Sequence, residues 1–140
     1  MSQLSVDKYL NDHSMKRLTV IMSVYKCDCE AFVRQSVESI LNQTYKDFDF
    51  FILYDGPVQA GVDDYLRALG DERVHILSRE VNRGLAFSLN ELLEKTLPGE
   101  YEYFARMDAD DISLAERFEK QISYLDRHPD DDCVGCWAIE

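Results

Sequence analysis

A regular alternation between short apolar runs and segments with helical spacing is the feature that most constrains this fold. The first run, residues 18–24, is rich in β-branched side chains and predicts a buried strand. The segment after it, residues 30–43, carries apolar side chains at intervals of three and four, which predicts an amphipathic helix. The same alternation predicts strands at 48–54, 73–77, 101–107 and 133–139, and helices at 58–69, 85–96 and 114–127.

This order of elements predicts the fold class and the domain limits. Strands and helices that alternate through short connections indicate an α/β fold, with an open, mostly parallel sheet and helices on both faces. In such sheets, ligands bind beyond the carboxyl ends of the strands. Residues 1–17 are expected to form a polar leader, so one domain should span residues 18–140 of the 140-residue chain.

The charge balance restricts the partners that the chain can bind. The sequence has 15 basic and 27 acidic residues, a formal net charge of −12. Nucleic-acid binding is not expected, because it requires a basic surface. A phosphate ligand would need a cation between itself and the protein. The sequence shows no apolar run that would span a membrane and no signal-peptide pattern, so a cytoplasmic location is expected.

The four cysteines form two close pairs, Cys27 with Cys29 and Cys133 with Cys136. A zinc site built from both pairs is one interpretation. The second pair lies in the run 133–139, which predicts a buried strand, whereas structural zinc sites favour turns. Reduced, partly buried thiols are therefore the preferred interpretation.

A dense acidic run, Asp108-Ala109-Asp110-Asp111, follows the fourth predicted strand. Carboxylates so close together repel one another unless a cation lies among them, and their oxygens suit Mg²⁺ or Mn²⁺. Such an ion would bridge an acidic protein to a diphosphate and neutralise charge as the diphosphate departs. The alternative is a solvated loop in which Asp110, Asp111 and Ser113 cap the next helix. The run alone favours neither.

Other residues with possible ligand contacts follow the first three strands. Tyr25 offers a flat face on which a base can stack, although ordinary packing is the alternative. Asp55 can accept a hydrogen bond from a ring N–H, although Asp-Gly-Pro also forms ordinary turns. Asn82-Arg83-Gly84 follows the third strand. Parallel strands end at one edge of a sheet, so these residues and the acidic run should lie together.

The ordered segments resemble the family-2 inverting glycosyltransferases, which have a GT-A fold. The resemblance covers residues 18–139. It rests on five segments in the family's order: residues 19–26, 36–45, 48–56, 82–84 with Asn90, and 107–111 followed by Arg117.

The resemblance implies a Rossmann-like GT-A half that binds a nucleotide-sugar. It implies transfer of a sugar, with inversion, from a UDP- or dTDP-sugar to a saccharide or lipid-linked acceptor. It implies nucleotide contacts from Ser23, Tyr25, Asp55, Arg83, Gly84 and Asp108. It further implies an Mn²⁺ or Mg²⁺ ion bound by Asp110, with Asp108 as a second ligand and Asp111 in a supporting position.

Departures from the family's pattern affect the rim of the donor pocket. The family usually has Asn at Lys26, Asp at Tyr54, Ser at Pro57 and Arg at Leu89. These differences leave the identity of the donor open.

The length of the chain leads to further expectations. Members of the family are longer, and their later half supplies most of the acceptor site and the catalytic base. The chain is therefore expected to be a truncated part, with its base beyond Glu140. Sheet surface exposed by a missing half would favour self-association, and the full-length protein could lie at the inner face of a membrane.

Two alternatives to a transferase stay open at this point. One is a non-catalytic nucleotide-binding or assembly module with the same fold. The other is a magnesium-dependent phospho-receiver domain, which is also a doubly wound sheet with acids around the ion. A receiver needs an acidic pair after its first strand, where this chain has Tyr25-Lys26, and a lysine that the run 133–139 lacks.

Overall fold

The computed structural model describes residues 16–99 and 101–137, and within them four strands alternate with four helices. The strands are β1 Leu18–Val24, β2 Phe48–Tyr54, β3 Val74–Ser78 and β4 Tyr103–Arg106. The helices are α1 Glu30–Leu41, α2 Ala60–Ala68, α3 Leu85–Thr96 and α4 Arg117–Arg127. A 3-10 turn, Leu97–Gly99, follows α3. Apart from Lys16 and Arg17, the predicted leader lies outside the described residues.

The strands form one parallel sheet in the order β3-β2-β1-β4. The chain moves outward from β1 to β3, and then crosses back to place β4 on the other side of β1. The strand order therefore reverses between β1 and β4, and open α/β sheets bind ligands at the carboxyl side of such a reversal.

Helices cover both faces of the sheet, which confirms the predicted α/β architecture. The larger core joins the sheet to α1, α2 and α4. The smaller core packs Leu92 of α3 against Ile21, Phe51, Leu53 and Leu77. Every residue of β2 is buried, because this strand has a neighbour on each side and a layer on each face. None of the helices in the described part of the chain is long and apolar enough to cross a membrane.

The strand predicted at 133–139 is wrong for residues 133–137, which form no regular structure, while 138–139 lie outside the described residues. Trp137 is 98% exposed. An apolar run becomes a strand only where a neighbouring strand supplies hydrogen bonds, and none of the four described strands pairs with this one. All four cysteines are free and exposed, so the prediction of partly buried thiols is also wrong.

Candidate functional site

The carboxyl ends of β1, β2 and β4 meet at one edge of the sheet. The Asp55 N–H donates to the Val24 carbonyl at 2.8 Å, which joins the ends of β2 and β1. The acidic run reaches the loop after β1. Burial raises the pKa of Asp28, a hydrogen bond from the Tyr25 N–H opposes that rise, and the charge of Asp110 adds to it. Asp110 therefore lies within electrostatic reach of the β1 loop.

Asp55 organises the loop that leads into α3. Its carboxylate is buried and accepts hydrogen bonds from the N–H groups of Arg83 at 2.7 Å and Gly84 at 2.9 Å. Its carbonyl accepts a hydrogen bond from Asn82 Nδ2 at 3.0 Å. Gly84 is the N-cap of α3, with a φ of 89° that favours glycine. The acid thus satisfies backbone donors where a helix begins.

Arg79 completes this cluster. Its Nε donates to Asp55 Oδ1 at 3.0 Å and its Nη1 to Glu91 Oε2 at 2.6 Å, while Nη2 contacts both Asp55 and Ser88. The Arg79 side chain is only 13% exposed, so Asp55 and Glu91 compensate a largely buried positive charge. Sequence patterns do not single out Arg79, because an arginine just after a strand is most often solvated.

The partners of Asp55 also determine its acidity. Burial by itself would raise the pKa of Asp55, but hydrogen bonds from the Arg83 N–H, Arg79 and the Gly84 N–H outweigh it. Together they hold the pKa below the ordinary value of 3.8. A carboxyl with a lowered pKa in the folded state stabilises the fold above its unfolded pKa, and that contribution is lost as the pH falls through the folded pKa.

We therefore expect acid to destabilise the wild type more steeply than the Asp55→Asn variant. The free energy of unfolding, measured by urea titration, should fall more for the wild type between about pH 5 and pH 2. Asp71 and Asp126, whose pKa values are also lowered, are present in both proteins, so the difference isolates Asp55. Parallel pH curves would contradict this assignment.

The acidic run forms a turn rather than a helix cap. Helix α4 begins at Arg117 and has Glu116 as its N-cap, with no side-chain capping bond. The alternative in which Asp110, Asp111 and Ser113 cap it is therefore wrong. Ser113 lies too early and is held elsewhere, because its N–H donates to Ser39 Oγ at 3.0 Å.

Helix α1 holds the backbone of this turn in place. Ser36 Oγ donates to the Asp108 carbonyl at 2.8 Å. Gln43 is fully buried just after α1, where its amide donates to the Leu114 carbonyl at 2.8 Å and accepts from the Phe118 N–H at 3.1 Å. Buried amides need such partners. Ser36 and Gln43 are positioning residues that the sequence patterns did not reveal.

The three acids of the run have different partners. Arg106 Nη2 lies 2.8 Å from both carboxylate oxygens of Asp108, and its Nε lies 3.0 Å from one of them. Asp110 and Asp111 are exposed. Within residues 16–99 and 101–137, the Asp110 carboxylate forms no hydrogen bond or ion pair. Among the described residues, the Asp111 carboxylate is likewise unpaired. Asp110 differs from Asp111 because its charge acts on Asp28 in the β1 loop, so Asp110 is the candidate ligand on that side of the site.

Asp108 and Asp110 suit a divalent ion only if a bound ligand, such as a phosphate, supplies further oxygens to the ion. Among the described residues, no three His, Cys, Asp or Glu side chains lie close enough to hold a metal, so the zinc interpretation finds no support. Mg²⁺ and Mn²⁺ often take only one or two carboxylates and fill their remaining positions with water and substrate phosphate. The chemistry of Asp110 with Asp108 suits such an ion.

The other predicted residues lie at the same edge. Ser23 is half-buried near the end of β1, and Tyr25 is 41% exposed. The Arg83 guanidinium stacks on the Phe87 ring, 3.4 Å from its centroid. Asp28 precedes Cys29, the N-cap of α1, and its carboxylate accepts a hydrogen bond from the Tyr25 N–H at 2.8 Å, which shapes the β1 loop.

The site has two sides. Asp55, Arg83 and Gly84 contact one another on the β2–β3 side. Tyr25 and Asp110 lie on the β1–β4 side, with Asp108 in the same turn as Asp110. A groove of about 390 Å³ between α2 and β3 contains none of these predicted residues.

The sequence matches Glycosyl transferase family 2 over residues 19–140. The chain is therefore a member of glycosyl transferase family 2, as its motifs predicted, and the phospho-receiver alternative is wrong.

Curated relatives support this assignment. The chain is 36% identical over 127 residues to an amylovoran biosynthesis glycosyltransferase of Erwinia amylovora, covering 87% of this chain and 45% of that protein. It is 34% identical over 123 residues to an uncharacterized glycosyltransferase of Methanocaldococcus jannaschii, covering 86% of this chain and 41% of that protein. The chain spans less than half the length of either relative.

Solved structures share the fold. TarS of S. aureus in complex with UDP-GlcNAc matches with a TM-score of 0.69 and 18% identity, over 81% of this chain and 32% of that chain. A mannosyltransferase of Pyrobaculum calidifontis in complex with GDP-Man and Mn²⁺ matches with a TM-score of 0.60 and 17% identity, over 88% and 38% of the two chains. At these identities, the likeness shows the GT-A fold alone.

Proposed function

We propose that this chain is the donor-binding part of a glycosyltransferase, and that it binds a nucleotide-sugar at the carboxyl edge between β1 and β4. The observation that carries the proposal is the free carboxylate of Asp110 beside the β1 loop, at the point where the strand order reverses. Family membership supports sugar transfer as the activity of the whole protein.

The nucleotide would contact side chains on both sides of the site. The exposed face of Tyr25 suits stacking of a base, with Ser23 beneath the base and ribose. The Arg83 side chain suits the base or the diphosphate. Both carboxylate oxygens of Asp55 already accept N–H bonds, so we propose that Asp55 acts mainly by holding Arg83 and Gly84. The contact of Asp55 with a uracil or thymine ring stays a prediction.

The metal would be held by Asp110 with Asp108. An Mn²⁺ or Mg²⁺ ion bound there would neutralise charge on the departing diphosphate. The acceptor, saccharide or lipid-linked, and the base that deprotonates its hydroxyl are proposed to bind or lie in a part of the protein other than residues 1–140. Inversion at the sugar and a cytoplasmic location, at or near the inner face of a membrane, form part of the proposal.

Calorimetry of the 140-residue chain with UDP, dTDP and GDP tests the proposal. We expect heat of binding for at least one of these nucleotides in the presence of Mn²⁺, and none when EDTA replaces the metal. Heat with UDP or dTDP and not with GDP would support the predicted donor class. No heat at millimolar nucleotide, or equal heat with EDTA, would contradict a metal-dependent donor site.

A non-catalytic nucleotide-binding or assembly module with the same fold is the second candidate, because the contacts proposed above would bind a nucleotide whether or not a sugar is transferred. The two candidates differ in the activity of the natural protein that contains this chain. Release of UDP from a UDP-sugar in the presence of acceptor extracts supports the transferase, and nucleotide binding without release supports the module.

A further inference from the structure

We propose that Arg106 competes with the metal ion for Asp108, so that the free protein binds a divalent ion weakly and the ion and a diphosphate bind cooperatively. This inference rests on the donor site proposed above. It concerns a residue that has no part in the predicted nucleotide or metal contacts.

The geometry of the ion pair supports competition. Arg106 is the last residue of β4, and Asp108 lies two residues later, a spacing that places both side chains on one side of an extended chain. The guanidinium contacts both carboxylate oxygens at 2.8 Å, and these oxygens are the atoms that a metal would need. An ion that binds Asp108 must share these oxygens with a second positive charge, so it binds more tightly once Arg106 has moved away.

The surroundings allow this exchange without movement of the backbone. The Arg106 carbonyl accepts a hydrogen bond from Arg117 Nη2 at 3.0 Å, and the Asp108 carbonyl accepts one from Ser36. The Arg106 side chain itself is 54% exposed and that of Asp108 35% exposed. Exposed ion pairs contribute little stability, so this pair can open by rotation of side chains alone.

A diphosphate would favour the open state. A guanidinium binds phosphate oxygens in the same two-pronged way as it binds a carboxylate, so a bound diphosphate offers Arg106 a replacement partner. The same diphosphate supplies oxygens to the metal. Each ligand then stabilises the state that the other needs, which is a positive coupling between the two.

Replacement of Arg106 by glutamine tests the competition. Binding of Mn²⁺ to the full chain is measured by electron paramagnetic resonance, with and without UDP, and corrected for Mn²⁺–UDP in buffer. In the wild type, we expect UDP to raise the affinity for Mn²⁺ by about 10-fold or more. In Arg106→Gln, Mn²⁺ alone should bind about 3- to 10-fold more tightly. The effect of UDP should shrink by at least the same factor, and the part that remains comes from the oxygens that the diphosphate itself gives to the metal.

Arg67→Gln is the matched control, because it removes the same charge from an exposed ion pair with Asp63 on α2. The inference would be overturned if Arg106→Gln bound Mn²⁺ no more tightly than Arg67→Gln.

Should Arg106→Gln fold poorly, Arg106→Lys provides the test. It keeps the charge but loses the two-pronged contact, so its affinity for Mn²⁺ must be intermediate. Absence of any Mn²⁺–UDP binding by the wild type would overturn the proposed function as well. Binding that requires Asp110 but is indifferent to Arg106 would overturn this inference alone.

Discussion

Replacement of Asp110 by asparagine should weaken metal-dependent nucleotide binding by at least about 100-fold, because residues that only support a metal's ligands already contribute about 10- to 100-fold. The Asp110 carboxylate is unpaired among the described residues and is the main protein ligand that we propose, so the variant would remove that ligand from the ion. The measurement is calorimetry with a nucleoside diphosphate and Mn²⁺.

Asp111→Asn is the control for this experiment. Asp111 is also exposed and lies one residue further along, so its loss changes the charge of the run equally. We expect Asp111→Asn to stay within about 3-fold of the wild type, since exposed charges that touch no ligand contribute little. Equal losses in the two variants would show that the run acts through its general negative potential rather than through one ligand.

Replacement of Asp55 by alanine should lower the free energy of unfolding by about 3–5 kcal/mol, the usual cost of leaving one partner of a buried ion pair alone. The variant leaves Arg79 largely buried beside Glu91 and removes the acceptor of the Arg83 and Gly84 N–H groups. Urea denaturation measures the loss.

A double variant distinguishes this cluster from general damage. When Arg79→Ala is combined with Asp55→Ala, the combined loss should be clearly smaller than the sum of the two single losses, because both remove the same interaction. Lys120→Ala, which breaks an exposed ion pair with Glu116, should lower the free energy of unfolding far less than either single variant. Additive losses for Asp55 and Arg79 would contradict the role of this ion pair.

Much of the sheet could be predicted from hydrophobic periodicity. The bounds of β1, β2 and α3 agree with the apolar pattern. A strand buried on both faces has a continuous apolar run, and a helix with one buried face has apolar residues at intervals of three and four. The run 133–139 is also apolar, but residues 133–137 do not form the strand that it predicts. A strand also needs a partner, and sequence composition cannot show whether one is available.

The position of the candidate site residues in the fold was predictable, but their contacts were not. The strand ends placed Asp55 and Asp110 at one edge, as the parallel topology requires. Ion pairs such as that of Arg79 with Asp55 join side chains that are far apart in sequence, and no local pattern predicts them. The short spacing between Arg106 and Asp108 is visible in the sequence, but an arginine beside an acidic run is typical of a solvated pair and by itself predicts no role in a site.

We propose that a nucleoside diphosphate and a divalent ion bind at the carboxyl edge between β1 and β4. Paramagnetic broadening by Mn²⁺ with UDP, recorded on backbone amide signals of the labelled chain, locates the ion directly. We expect the signals of residues 24–28 and 108–112 to broaden first, and Asp110→Asn to abolish the effect. Broadening centred on the groove between α2 and β3, or on residues 130–132, would contradict it.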